Sequence, residues 1–106
     1  MNKIELNSIE EKEIVLGYFA KFVHSENMTI AYWNIKASSS LPAHSHPHEQ
    51  ISSIIKGEFE LTVDGTPHML KANNVFVIPS GIPHSGKAIT DCKIIDTFYP
   101  VREDYR

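Results

Sequence analysis

A chain of 106 residues, 42% hydrophobic and 22% charged, has room for one core and sits near globular averages, which argues against a disordered or fibrous chain. A formal net charge of -3 and a pI near 6.0 offer no clustered basic face, so nucleic acid is not an expected partner. The longest apolar run, residues 75–78, is far below the roughly 20 residues that span a bilayer, no signal-type apolar core opens the chain, and Cys92, the single cysteine, cannot form an internal disulfide; no membrane segment and a cytoplasmic location are expected.

Ser8 followed by Glu11 fits a capping box and predicts one short turn of helix. From Gly17 the chain becomes strand-forming, with Tyr18, Phe19, Phe22 and Val23. Ser25-Glu26-Asn27 turns it into a second strand over residues 28–37. Further strands are predicted at 51–55, 58–63, 68–71, 75–78 and 93–99. Turn chemistry falls between them at Gly57, Asp64-Gly65, Asn73-Asn74 and Pro79-Ser80-Gly81. Seven or eight short strands at this spacing predict an all-β sandwich or barrel, with residues 1–106 as one domain.

Six histidines are a surplus, and three fall at His44, His46 and His48. Residues two apart on a strand share a face, so His44, His46 and Gln50 are expected on one side and Glu49 on the other. Glu49 could join the cluster only through a bulge. A third imidazole is expected from His84, which follows the rigid stretch 79–83 and opens a neighbouring strand. Three imidazoles and an amide oxygen suit a divalent transition metal (nickel, iron, manganese, zinc or copper) better than calcium or magnesium. A shell without a carboxylate leaves the metal's charge available to an anionic substrate. Two alternatives stay open: Gln50 bonding only a ligand water, and His48 facing either pocket or solvent. His24 and His68 read as ordinary strand or turn residues, Trp33 as core or strand-exchange interface, and Cys92 as an inert thiol.

These residues resemble the cupin superfamily. His44, His46, Gln50 and Gly57 match its first motif, and Pro79, Gly81 and His84 its second, with the Asp64-Gly65 hairpin between. Gln50 replaces the commoner glutamate, Asn73 stands where glycine is usual, and Ala88 where asparagine is frequent. The resemblance covers roughly residues 27–99. It implies a cupin-type β-barrel, a double-stranded β-helix or jelly roll with its core at about 17–99, and a metal held by His44, His46, Gln50 and His84. A narrower resemblance, carried by residues 44–50, Phe59-Glu60 and residues 96–105, is to the small pectin-degradation cupins of the KdgF type. It implies an enzyme that opens 4,5-unsaturated monouronates into linear keto acids. Asp96, Phe98 and Arg102 then fall on the family's functional positions outside the shell, and a homodimer formed by N-terminal strand exchange is expected.

Strand parity agrees with that assignment. Asp96 and Phe98 share one face of the last strand, with Thr97 and Tyr99 on the other, and a carboxylate on an inner face needs a reason. Pro100 ends strand pairing, after which Arg102 can fold over the barrel mouth and grip a small anionic sugar acid through its carboxylate. Asp96 is expected to move protons between enol and keto forms, with Phe98 shaping the pocket. Two other classes stay open: a different metal-dependent cupin enzyme, such as a dioxygenase or isomerase, and a non-catalytic sugar-acid-binding module.

Overall fold

Alternation of apolar and polar residues gives most strands two unlike faces. In a computed structural model describing residues 1–106, Thr29, Ala31, Trp33 and Ile35 of β3 (Thr29–Ile35) point inward. In β10 (Cys92–Tyr99), Cys92, Ile94, Asp96 and Phe98 do the same. The remaining strands are β1 (Lys12–Val15), β2 (Tyr18–His24), β4 (Ser40–His44), β5 (Glu49–Lys56), β6 (Glu58–Val63), β7 (Thr66–Lys71), β8 (Val75–Ile78) and β9 (His84–Ala88). They form a six-stranded sheet in the order β1-β2-β3-β10-β5-β8 and a four-stranded sheet in the order β4-β9-β6-β7. All pairings are antiparallel. The inner faces of the two sheets supply one apolar cluster, with Ile54 and Ile78 at its most enclosed points; each such side chain stabilises the fold by about 1.5–3 kcal/mol. This is the jelly-roll arrangement expected of a cupin. No helix is long and apolar enough to cross a membrane.

Three strands were not predicted. β4 carries Pro42 and lies at the edge of the smaller sheet, where a missing N–H costs no ladder bond. β9, His-Ser-Gly-Lys-Ala, has no β-branched residue, and its Gly86 leaves the space that the Phe59 ring fills. β1 is a four-residue edge strand. The helical turn forms earlier than predicted, as a 3-10 turn at Leu6–Ser8, because Ser8 Oγ donates back to Glu5 O and does not cap a helix beyond it.

Gly57, between β5 and β6, has φ +94°, and a Cβ there would overlap the Asp91 carbonyl oxygen. Gly57→Ala is therefore expected to lose about 2–4 kcal/mol, read as a lowered midpoint in thermal or urea unfolding.

Part of the outer face of the large sheet is apolar. One cross-strand row is Val23, Ile30, Thr97, Ile51 and Val77. The next is Lys21, Tyr32, Ile95, Ser53 and Val75, in which the Lys21 ammonium is drawn away to Leu6 O. Ile51, Ile55, Val75, Val77 and Tyr99 are each at least 40% exposed on this face.

After β10 the tail folds back. Arg102 N donates to Thr29 Oγ1 at 2.8 Å, and His24 links Thr29 Oγ1 to Tyr105 O. His24 is thus an anchor for the tail, a role its sequence position did not suggest.

Candidate metal centre

His44, His46 and His84 converge at one end of the sandwich, each with a ring nitrogen within 4.8 Å of the others. The route differs from the predicted one. β4 ends at His44, residues 45–48 leave the strand, and β5 begins at Glu49 in the opposite sheet. His44 and Gln50 therefore do not share one strand face; they approach from the two sheets, with His46 in the crossing between them. His84 is the cross-strand partner of His44, with ring centroids 4.3 Å apart. The turn before it docks on the histidine loop, as Gly81 N donates to His46 O at 2.9 Å and Ser80 Oγ to Pro47 O. Within β5 parity holds, with Gln50 buried and Glu49 exposed.

The hydrogen bonds fix which nitrogen of each imidazole is free. His44 Nδ1 meets Pro42 O at 2.9 Å, His46 Nδ1 meets His48 O at 3.0 Å, and His84 Nδ1 meets Ile82 O at 2.9 Å. A carbonyl can only accept, so each Nδ1 carries the proton and each Nε2 presents a lone pair. Desolvation holds His46 down to about 4, helped by the Arg102 and His84 charges. Burial lowers His84 as well. These two rings are neutral near pH 7.

Gln50 completes the set. Ser52 Oγ donates to Asp96 Oδ1 at 2.6 Å and accepts from Gln50 Nε2 at 3.0 Å, which turns the amide oxygen toward the cluster. Gln50 Oε1 stands 3.1 Å from His46 Nε2. With His46 protonated on Nδ1, this is a meeting of two lone pairs, unfavourable unless a cation sits against both. Three imidazole nitrogens and one amide oxygen with no proton among them fit a divalent transition metal.

Beside the cluster an open cavity runs between the sheets; His44, Gln50, Asp96, Phe98, Arg102 and Tyr105 all line it. Burial pushes Asp96 up to about 6, against the pull of the Ser52 and Gln50 hydrogen bonds. Phe98 packs edge-on to His46, centroids 5.7 Å apart. Arg102 is buried, with its guanidinium over Phe98 at 4.8 Å and over Tyr105 at 4.3 Å. Its Nε and Nη2 donate to the two oxygens of Asp104 at 3.0 and 2.8 Å. The bidentate carboxylate grip expected of Arg102 is therefore present and occupied by a neighbour two residues on.

His48 packs beside His46 and Phe98, and its buried Nδ1 has no partner; it is not among the residues that line the cavity. Cys92 is buried against Glu58 O and Thr90 O, and His68 packs on Phe76 away from the cluster. Ser52, Tyr18 and Tyr105, all on the cavity wall, were missed. Ser52 shares the parity of Gln50, which was the available signal.

Residues 31–98 match the cupin domain family. An RmlC-like cupin from Shewanella frigidimarina superposes with a TM-score of 0.89 at 28% identity, covering 94% of this chain and 91% of that one. KdgF from Halomonas sp. superposes at 0.88 with 24% identity over 94% of both chains, a likeness of fold alone. A 57-residue stretch is 35% identical to the HTH-type transcriptional regulator PuuR of Escherichia coli K12; it covers 52% of this chain and 31% of the regulator, so the match spans about a third of that relative's length. The family match runs from β3 through β10 and takes in all four residues of the cluster, and the chain belongs to the cupin domain family.

Proposed function

We propose that this cupin is a metal-dependent enzyme that opens 4,5-unsaturated monouronates into linear keto-deoxyuronates. The observation that carries the reading is that Asp96, Phe98 and Arg102 line one cavity with the histidine cluster, and that Asp96 is joined to Gln50 through Ser52. His44, His46, His84 and Gln50 would hold the metal. When bound it supplies Lewis-acid polarisation of substrate oxygens. Arg102, released from Asp104, takes the substrate carboxylate in the same two-point geometry. Opening breaks the hemiacetal C1–O5 bond as the C1 hydroxyl loses its proton and the ring oxygen takes one up, which leaves an enol; Asp96, with a proton affinity raised by burial, gives a proton to the enol carbon and recovers one from the enol oxygen. Phe98 walls the pocket and keeps water from the guanidinium.

The test is to load the purified protein with metal, add freshly prepared unsaturated monouronate, and follow the loss of conjugated ultraviolet absorbance. Acceleration over the spontaneous reaction, abolished by chelator, is the expected result. A filled site with no acceleration would overturn the reading. The similarity to a regulator favours one second reading, a non-catalytic sugar-acid-binding module, which predicts binding of a saturated uronate without turnover of the unsaturated one.

The partner reading includes a second copy of this chain. Five strands about 4.8 Å apart and two side-chain rows about 7 Å apart make this apolar strip on the order of 300 Å², and the next row, Phe19, Asn34, Lys93 and Lys56, puts two lysines beside it. That is an ordinary size for a patch on a monomer, so pairing of two copies draws on a flanking rim to reach the roughly 800 Å² per partner of a standard interface. The resemblance implies N-terminal strand exchange as the route to that dimer; within the single chain the edge strand β1 pairs with β2. Light scattering is expected to give a dimer for the wild-type protein and a monomer for an Ile51→Lys/Val77→Lys variant; a wild-type monomer at 0.1 mM would sink the idea.

A further inference from the structure

Besides His48 Nδ1, two buried side-chain polar atoms have no hydrogen-bond partner, Tyr18 Oη and Trp33 Nε1. Their residues are only 2% and 8% exposed and line the cavity already described. They stand on the inner faces of adjacent strands, their rings edge to face with centroids 5.9 Å apart. Trp33 is cross-strand from Ile94, two residues before Asp96. Asp96 is close enough to act on the Tyr18 hydroxyl electrostatically, and the Trp33 N–H adds to the pull on the Asp96 carboxylate while lying outside hydrogen-bond geometry.

Each unmet buried polar atom carries a desolvation cost that no protein partner offsets. Phenylalanine at either position would keep the ring packing without that cost. Two such atoms on the wall of one cavity, next to a buried carboxylate, are the pattern of a binding site awaiting a small polar group. An indole N–H can only donate, an ionised carboxylate can only accept, and a phenol can do both. A group that satisfies all three must donate and accept at once. A ligand carboxylate cannot do so and would meet Asp96 with like charge, whereas a hydroxyl can.

We propose that the inner end of the cavity is a hydroxyl-binding subsite, in which one hydroxyl of a sugar-acid ligand accepts from Tyr18 Oη and Trp33 Nε1 and donates to Asp96. The ligand carboxylate is then directed to Arg102 on the same cavity wall. The assignment rests on the reading that the cavity takes a sugar acid, and it adds how the ligand is oriented and what tells it from a plain ring carboxylate.

Trp33 is the only tryptophan, so its fluorescence reports on the subsite directly. Metal-loaded wild-type protein and Tyr18→Phe are titrated with D-galacturonate and with tetrahydropyran-2-carboxylate, which has the ring and carboxylate but no hydroxyl. Calorimetry repeats the series for Trp33→Phe, where the fluorescent reporter is lost. The wild-type protein is expected to bind galacturonate about tenfold or more tightly than the hydroxyl-free acid, in line with one buried hydrogen bond. Tyr18→Phe is expected to lose that preference while its ligand-free thermal midpoint stays level or rises, because the hydroxyl removed was unpaired. Equal wild-type affinity for the two acids, or an unchanged preference in Tyr18→Phe, overturns the subsite and leaves the sugar-acid reading standing. A fall in midpoint with equal loss of both acids assigns Tyr18 to packing and also overturns it. Wild-type protein that binds neither acid overturns the sugar-acid reading and the subsite together.

Discussion

Asp96→Asn is expected to slow uronate opening by roughly 10²- to 10³-fold, the usual scale for a lost acid–base group, with metal content unchanged. The substitution keeps the shape and the acceptor that Ser52 Oγ uses, so a loss of rate reports the proton and not the packing. The same variant has an opposite effect on stability. Burial pushes Asp96 up to about 6 from an ordinary 3.8. Between these values the folded protein holds a proton that the unfolded chain has released. The wild-type carboxyl therefore costs stability as pH rises through that window, reaching up to about 3 kcal/mol above pH 6. Metal-free Asp96→Asn should unfold at a higher temperature than wild type at pH 8 and should lose this difference near pH 4. A variant that keeps the wild-type rate with metal bound would end the proton-transfer assignment.

His84→Ala is expected to lower metal affinity by at least about 100-fold and return the reaction to its spontaneous rate, measured by metal content after gel filtration and by the ultraviolet assay. His84 is buried and its Nδ1 is tethered to Ile82 O, so its loss removes a ligand held in fixed orientation. The pH dependence follows from the same burial. His46, held down to about 4, and His84, lowered in the same direction, stay neutral in the fold at pH values where unfolded histidine, with a value near 6.5, takes up a proton. The unfolded chain then binds more protons, so their contribution to metal-free stability falls as pH drops from about 6.5 toward 4. Asp96 acts in the opposite sense over much of that window, and the Asp96→Asn protein should show the steeper acid loss. Retention of tightly bound metal by His84→Ala would remove this residue from the shell.

Much of the fold could be read because its strands are written in β-branched and aromatic residues with a period of two, as in β3 and β10, and because glycine and Asp-Gly turns mark their ends. β4 and β9 escaped since proline and glycine mask the period, and each is made a strand by its neighbours and not by its own preferences. The histidine spacing led to the right cluster through a wrong route. Parity was applied across residues 44–50 as if they were one strand, whereas residues 45–48 carry the chain between sheets, and only Gln50 against Glu49 obeyed the rule. Parity placed Asp96 and Phe98 on one face, and the family resemblance, not the period, pointed that face inward. What no local pattern could show was contact between distant segments, namely Ser52 bonded to Asp96, Arg102 already paired with Asp104, and Tyr18 and Trp33 facing the cavity with bare donors.

The strand order has a further consequence for assembly. β10, the last strand in the chain, lies in the interior of the large sheet, between β3 and β5, so neither half of that sheet can close until it arrives. Pairings this far apart in sequence place the fold among the slower two-state folders, on the scale of milliseconds to seconds. The strand that finishes the sheet also carries Asp96 and Phe98 and leads into Arg102. An incompletely folded chain can bring histidines near one another, but it cannot set Asp96 and Phe98 beside them; the cluster and the cavity wall next to it are completed in one event.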